Sequence, residues 1–417
     1  MEILSTGEKI KRARIYKGLT LKNISGDKIS VSKMSCIEND KIEAEDWILE
    51  QVGHILGLEI DYLKKGIREQ LIENIKIIKE NNDIDKYEEK ILYNLKFAEK
   101  YLYYDLCFSL NHLLYNYYLD KREIEKAQAM ISKYYECCPK DYKQENYLTY
   151  FMDIGRFLYC TKEFLEAANY YNHVRNLAKE NSNFYILAKA TYNEAECYIM
   201  LKNYERAYEV ANRLEELIKY FDTNIKKAEA YQMLAILSIS TDKGRFQKYE
   251  KKSYKLYDEN LECKALAIYN YASAMFDVGM EEKAIEYIKE AIKLYPKSKT
   301  GKLVRFMLLC TNEFIKYNKL EFAKDISDEV LNYAIKSNEA KYIERAYYLK
   351  ARILQRLDNF TSAEMYMNLS TDVLLKFGTQ NDIYKRYMEM GYMYYNLSQV
   401  GEAIKYFNLA LAIEKKM

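Results

Sequence analysis

Small, aromatic and apolar residues recur along this 417-residue chain with a period near 40 and with helical spacing inside each period. The clearest instance is MEMGYMYYNLSQVGEAIKYFNLALAIEKK, residues 388–416, which sets Gly391, Tyr394, Ala403, Phe407 and Ala410 at helical offsets on two successive segments. Gly391 and Ala403 would let two helices cross closely, and Tyr394 and Phe407 would fill the space around that crossing. Equivalent alanines stand at Ala127, Ala167, Ala207, Ala284, Ala323, Ala363 and Ala403, separated by 40, 40, 77, 39, 40 and 40 residues. The step of 77 is two periods, with Gln247 at the position lacking an alanine. Twelve residues before each alanine position comes a small residue: Gly155, Ala195, Ala235, Ala272, Ala351 and Gly391. Tyr115 and Thr311 break that rule, which predicts looser crossings at those two pairs. The only two prolines, Pro139 and Pro296, follow Ala127 and Ala284 by twelve residues and read as helix stops. The pattern predicts an all-α chain: an α-solenoid of about eight to nine helix pairs with a period of about 40 residues, behind a segment that lacks the repeat.

HEAT-type repeats also run near 40 residues. The small–aromatic–alanine–aromatic order resembles the tetratricopeptide repeat (TPR) instead, with longer helices than its usual period of about 34 requires. That resemblance implies stacked helix–turn–helix units in which each pair touches only its neighbours.

Residues 1–66 carry no repeat and predict five short helices, separated by GLT, GDKIS, NDK and GLEI. The first, Gly7 to Tyr16, would turn Ile10, Ala13 and Ile15 inward and Lys9, Lys11, Arg12, Arg14 and Lys17 mostly outward. Thr20 is placed to cap a second helix, Ser30 a third over Val31–Glu38, and a fourth runs from Asp46 to Leu56 with Trp47. The order IK..R...GLT, S..S.IE, an apolar helix and a final DYL resembles the helix-turn-helix of the phage-repressor and Xre type. The resemblance implies a five-helix DNA-binding domain over 1–66, with Val31, Ser32, Lys33, Ser35 and Cys36 facing the major groove. Thr20, Asn39 and Lys41 would join the contact. Leu21 stands where a glutamine is common, and the recognition face lacks the Gln, Asn and Arg of bidentate base reading, so direct readout would be modest. Residues 7–41 hold nine Lys or Arg and four acids, net +5, against net −4 over 42–66. That asymmetry suits a polyanion on one face.

Residues 67–101 read as connector helices, a degenerate first pair broken at Asn81, Asn82 and Asp83, and 102–417 as the repeat domain. Overall charge is only +2, and the 44 tyrosines against one tryptophan suit packing in stacked helices. No signal-peptide core and no apolar run of membrane length is present, which predicts a cytoplasmic protein without a membrane partner. Eight scattered cysteines without a C-x-x-C pair, and only His54, His112 and His173, predict reduced thiols and no metal site. With no phosphate loop, H-E-x-x-H or Ser/His/Asp set, the sequence predicts neither enzyme activity nor a cofactor.

In TPR domains the first helix of each pair lines a concave groove. The corresponding positions here are Arg156, Asn193, Glu196, Asn270, Asn312, Arg352, Gln355, Tyr392 and Asn396, and amides there suit the backbone of an extended peptide. The two halves together resemble the RNPP-type peptide-pheromone receptors of Gram-positive bacteria. The resemblance implies a quorum-sensing transcription regulator, with duplex DNA and a short signalling peptide as partners. A homodimer would read two half-sites, with Tyr406, Leu409 and Ile413 on the last helix as its interface. Two other readings share the architecture: a phage lysis–lysogeny peptide receptor, and a TPR scaffold that recruits a protein partner and keeps a vestigial helix-turn-helix.

Overall fold

The computed structural model describes residues 2–80, 86–138, 145–240, 242–258, 260–298 and 300–415. Asn81, Asn82, Asp83 and Pro139 lie outside them. The described residues contain helices and no strand. The chain forms two compact units, Met1–Tyr220 and Phe221–Met417.

The first unit opens with five short helices: α1 (Thr6–Tyr16), α2 (Leu21–Ser25), α3 (Val31–Glu38), α4 (Asp46–Leu56) and α5 (Ile60–Lys64). Ser5, Thr20 and Ser30 accept hydrogen bonds from free backbone N–H groups at the starts of α1, α2 and α3. Gly57, at φ +62°, ends α4 in the left-handed conformation that favours glycine. Ile10, Ile24, Met34, Ile37, Ile48, Val52 and Leu63 close a core of their own. The facing of α1 differs from expectation. Ile15 is 60% exposed, whereas Lys9 is only 2% exposed. The buried face of a three-turn helix runs through Gly7, Ile10, Ala13 and Arg14, leaving Ile15 outside it. Lys9 threads its stem through the packing and donates to the carbonyls of Tyr62 (2.7 Å) and Lys65. Arg14 is not outward either: it makes a two-pronged ion pair with buried Glu38, at 2.6 and 2.9 Å, and also donates to the Leu19 carbonyl.

Helix pairs follow: α6 (Ile67–Glu80) with α7 (Tyr87–Lys100), α8 (Tyr104–Lys121) with α9 (Ile124–Glu136), and α10 (Glu145–Cys160) with α11 (Phe164–Glu180). The unit ends with α12 (Phe184–Met200), α13 (Tyr204–Ala211), α14 (Leu214–Leu217) and a 3-10 turn, Ile218–Tyr220. The second unit is five pairs: α15 (Asn224–Ser238) with α16 (Lys243–Tyr257), α17 (Leu261–Asp277) with α18 (Glu281–Leu294), α19 (Thr300–Lys316) with α20 (Leu320–Ser337), α21 (Ala340–Arg356) with α22 (Phe360–Leu374), and α23 (Gln380–Asn396) with α24 (Val400–Glu414). Each alanine of the ladder is the fourth residue of the second helix of its pair and is at most 2% exposed. The crossings explain the small residues opposite. A Cβ on Gly155 would stand 2.7 Å from the ring of Tyr171, and one on Gly391 2.5 Å from the ring of Phe407.

The fourth position of α16 is Phe246, not Gln247. Phe246 is 2% exposed and Gln247 is exposed. Asp242 caps α16 by accepting from the Arg245 N–H, which starts the helix one residue earlier than a strict 40-residue period places it. A bulky ring therefore fills the space an alanine leaves elsewhere.

Candidate functional site

The exposed side of α3 presents Val31 (45% exposed) and Ser32, with Ser35 and Cys36 half-buried. Thr20 is taken up by its cap on α2, and Asn39 donates to the Ser35 carbonyl at the end of α3. Lys33 is also engaged: its ammonium pairs with Glu45 at 2.8 Å and lies 5.8 Å from the ring of Trp47. That pair and the bond from the Trp47 indole draw the Glu45 carboxyl below its usual range. Of the cations counted over 7–41, Lys9, Arg12, Arg14 and Lys33 have carboxylate or carbonyl partners. Lys11, Lys17, Lys22, Lys28 and Lys41 have no ion-pair partner among the described residues.

The first helices of successive pairs are tied side chain to side chain at about one repeat's distance. In the first unit Arg156 donates to Asn116 and to Asp120 (2.6 Å), and Tyr159 donates to Glu196 at 3.1 Å. In the second, Tyr269 (2.9 Å) and Ser273 (2.7 Å) donate to buried Glu313, Tyr317 to Asp277 (2.7 Å), and Lys302 to Glu262 (2.9 Å). Further along, Arg352 (2.9 Å) and Tyr348 (2.8 Å) reach Glu389, while Arg386 reaches Glu344 (2.7 Å) and Ser370.

Three of the groove positions picked from the sequence, Arg156, Glu196 and Arg352, are therefore spent on the repeat ladder itself. Asn193, Asn270, Asn312, Gln355 and Asn396 make no side-chain hydrogen bond among the described residues. Asn270, Asn312 and Asn396 are exposed, and Tyr392 is 58% exposed with its ring edge-on to Phe407 at 5.3 Å.

Within the second unit, α17, α19 and α21 enclose a cleft of about 510 Å³. Leu266, Leu309 and Phe306 supply its apolar walls, with Asn312 on the rim. Phe306 is stacked on Tyr295 at 4.4 Å. Burial, then the neighbouring Glu262 carboxylate, pushes the Tyr295 phenol up to about 12. Glu262 is balanced by Lys302, whereas Arg305 and Arg345, which line the same cleft, make no ion pair among the described residues. The Arg345 guanidinium lies over the ring of Tyr348 at 5.0 Å. Sequence reasoning picked out Asn312 but missed both arginines, although their separation of 40 residues places them at the same point of successive repeats.

On α24, Tyr406 does not point outward with Leu409. It is stacked on Tyr394 at 5.3 Å, because the aromatic pair fills the crossing of α23 and α24. Ile413 is half-buried, and the apolar surface of α24 is carried by Leu409, Ile404 and Leu411. No described helix is long and apolar enough to cross a membrane, and no metal-holding cluster of His, Cys, Asp or Glu occurs among the described residues.

A curated relative from Bombyx mori, the inactive peptidyl-prolyl cis-trans isomerase shutdown, is 31% identical over 147 residues, 34% of this chain; the chain spans about a third (33%) of that relative's length. The apo form of the quorum sensor NprR from B. thuringiensis is similar with a TM-score of 0.45 and 16% identity, over 85% of this chain and 100% of that one. Bacillus thuringiensis PlcR, solved with the peptide PapR7 and DNA, gives a TM-score of 0.38 and 17% identity, over 63% of this chain and 97% of that one. The tetratricopeptide repeat family model matches residues 265–298, 344–373 and 384–417, which coincide with α17–α18, α21–α22 and α23–α24. The chain carries tetratricopeptide repeats.

Proposed function

We propose that this protein is a cytoplasmic transcription regulator that senses a short linear peptide and acts by binding rather than by catalysis. In this reading the peptide lies along the first helices of the pairs and duplex DNA meets α3. The observation that carries it is the set of unspent amides, Asn270, Asn312 and Gln355, on first helices that side-chain bonds such as Tyr269 to Glu313 and Arg352 to Glu389 tie to their neighbours. An amide offers both a donor and an acceptor, so a row of them matches the N–H and C=O groups of an extended backbone. The order of the five amino-terminal helices and the free Lys41 support DNA as the second partner.

A gel shift on the protein's own upstream DNA, run over a salt series, tests the DNA half. Lys33→Ala/Lys41→Ala should weaken binding across sequences and flatten its salt dependence. Unchanged affinity in that double variant removes α3 from the interface. For the peptide half, Asn270→Ala/Asn312→Ala should abolish the calorimetric signal of a binding peptide while the far-ultraviolet dichroism stays native.

A second reading has its own observation. Glu45 and Trp47 hold the Lys33 ammonium, the one cation on α3. A protein-recruiting scaffold with a vestigial helix-turn-helix would tolerate that, and loss of any salt-dependent DNA binding would favour it.

A further inference from the structure

Charged residues on the first helices of successive pairs are set mostly against an opposite charge: Arg352 against Glu389, Arg386 against Glu344, Lys302 against Glu262. One row departs from this rule. The sixth residue of α19 is Arg305, of α21 Arg345 and of α23 Lys385, at intervals of 40 residues. All three are exposed, and none has an ion-pair partner among the described residues. Like charges brought side by side by the stacking repel one another, and burial against an anion is what would relieve them. Arg305 and Arg345 share their cleft with the apolar side chains of Leu266, Leu309 and Phe306 and with the Asn312 amide.

We infer that this row binds a peptide carrying acidic side chains three residues apart. The inference rests on the peptide-groove reading and adds the chemistry of the ligand. Packed helices lie about 8–10 Å apart, and a chain in the polyproline II conformation advances about 3.1 Å per residue with three residues per turn, so every third side chain returns to the same face. Every third side chain of such a chain crossing α19, α21 and α23 therefore meets the next cation. A guanidinium takes a carboxylate with two parallel N–H donors, so Arg305 and Arg345 provide both charge and orientation. The intervening residues are apolar, to match Leu309 and Phe306. Acidic side chains are favoured over a terminal carboxylate because α17 and α23 flank the two arginines, so the peptide passes through rather than ending there. Peptide is favoured over nucleic acid because the cations adjoin an apolar wall rather than a continuous basic stripe.

The test uses the full chain and end-blocked fluorescent nonapeptides of leucine and alanine. One carries Glu at its third and sixth positions, one has Gln at both, and one has Glu at the third and fourth. Fluorescence anisotropy should show the spaced Glu peptide binding about tenfold or more tightly than the other two, with an advantage that shrinks as salt rises. In Arg305→Gln/Arg345→Gln, which keeps side chains of polar character at both sites, that advantage should vanish while the dichroism melt is unchanged. Equal binding of the Glu and Gln peptides overturns the inference and leaves the peptide groove standing. No binding by any of them overturns both. A single-stranded oligonucleotide that displaces the Glu peptide as well as unlabelled peptide does would assign the row to phosphate instead.

Discussion

A phenol sealed between stacked helices resists ionisation, because its anion would lose water and gain little in exchange. Burial, with Glu88 accepting from its hydroxyl at 2.8 Å, pushes Tyr118 up to about 12, and burial does the same to Tyr150. Their folded values lie above the usual value near 10, so their contribution to stability is intact below pH 10 and is lost as pH climbs to about 12. Alkaline titration should show tyrosinate absorbance at these sites lagging behind exposed tyrosines, then appearing together with loss of helical dichroism. A Tyr118→Phe variant should lose part of that alkaline sensitivity, and normal midpoints for every tyrosine in the still-folded chain would refute the account. The residue scale is also where the sequence was least legible. Lys9 and Arg14 read as solvated charges, yet their long stems are packed and their heads find carbonyls and Glu38, a pairing 24 residues away in sequence that no helical wheel displays. Arg156 and Arg352 sit at groove positions by spacing, but acidic or amide partners one repeat away hold them. Comparing each charge with the residue about 40 positions along would have exposed both those pairs and the unmatched row at Arg305 and Arg345.

At the scale of elements, the helix pairs were legible because the pattern has a mechanical cause. Where two helices cross, one side must be small. Gly155 shows how strict this is, since a methyl group there would stand 2.7 Å from Tyr171. Alanine normally favours a helix over glycine by about 1 kcal/mol. Overpacking costs about 1–3 kcal/mol, so Gly155→Ala should destabilise the protein on balance, and Gly391→Ala, facing Phe407, should do the same. Thermal melts of the two variants check this, and a higher midpoint in both would show that the rings yield freely. At the α15–α16 pair, by contrast, the period slipped by one. Phe246 is apolar and one residue early, and Asp242 sets the helix start, so strict counting lands on Gln247. Caps fix helix phase locally, and a period cannot see them.

On the scale of the molecule, Ile404, Leu409 and Leu411 leave apolar surface on α24. We propose that a second copy covers it, which would supply the paired half-site reading that a single helix-turn-helix lacks. Light scattering at micromolar concentration should give twice the mass of one chain, and Leu409→Lys should halve it; a dimer that survives the substitution must use another surface. The ties between first helices have a different consequence. Each joins residues about one repeat apart, as with Tyr317 and Asp277, 40 positions from each other, or Tyr348 and Glu389, 41 apart. Removing or duplicating one whole pair would bring the next copy of the same face into the vacated place, so most surviving residues would meet a neighbour of familiar kind. The heritable module of such a chain is the helix pair, and its length can change in steps of one pair at less cost than a bulky substitution at a close crossing such as Gly155 against Tyr171.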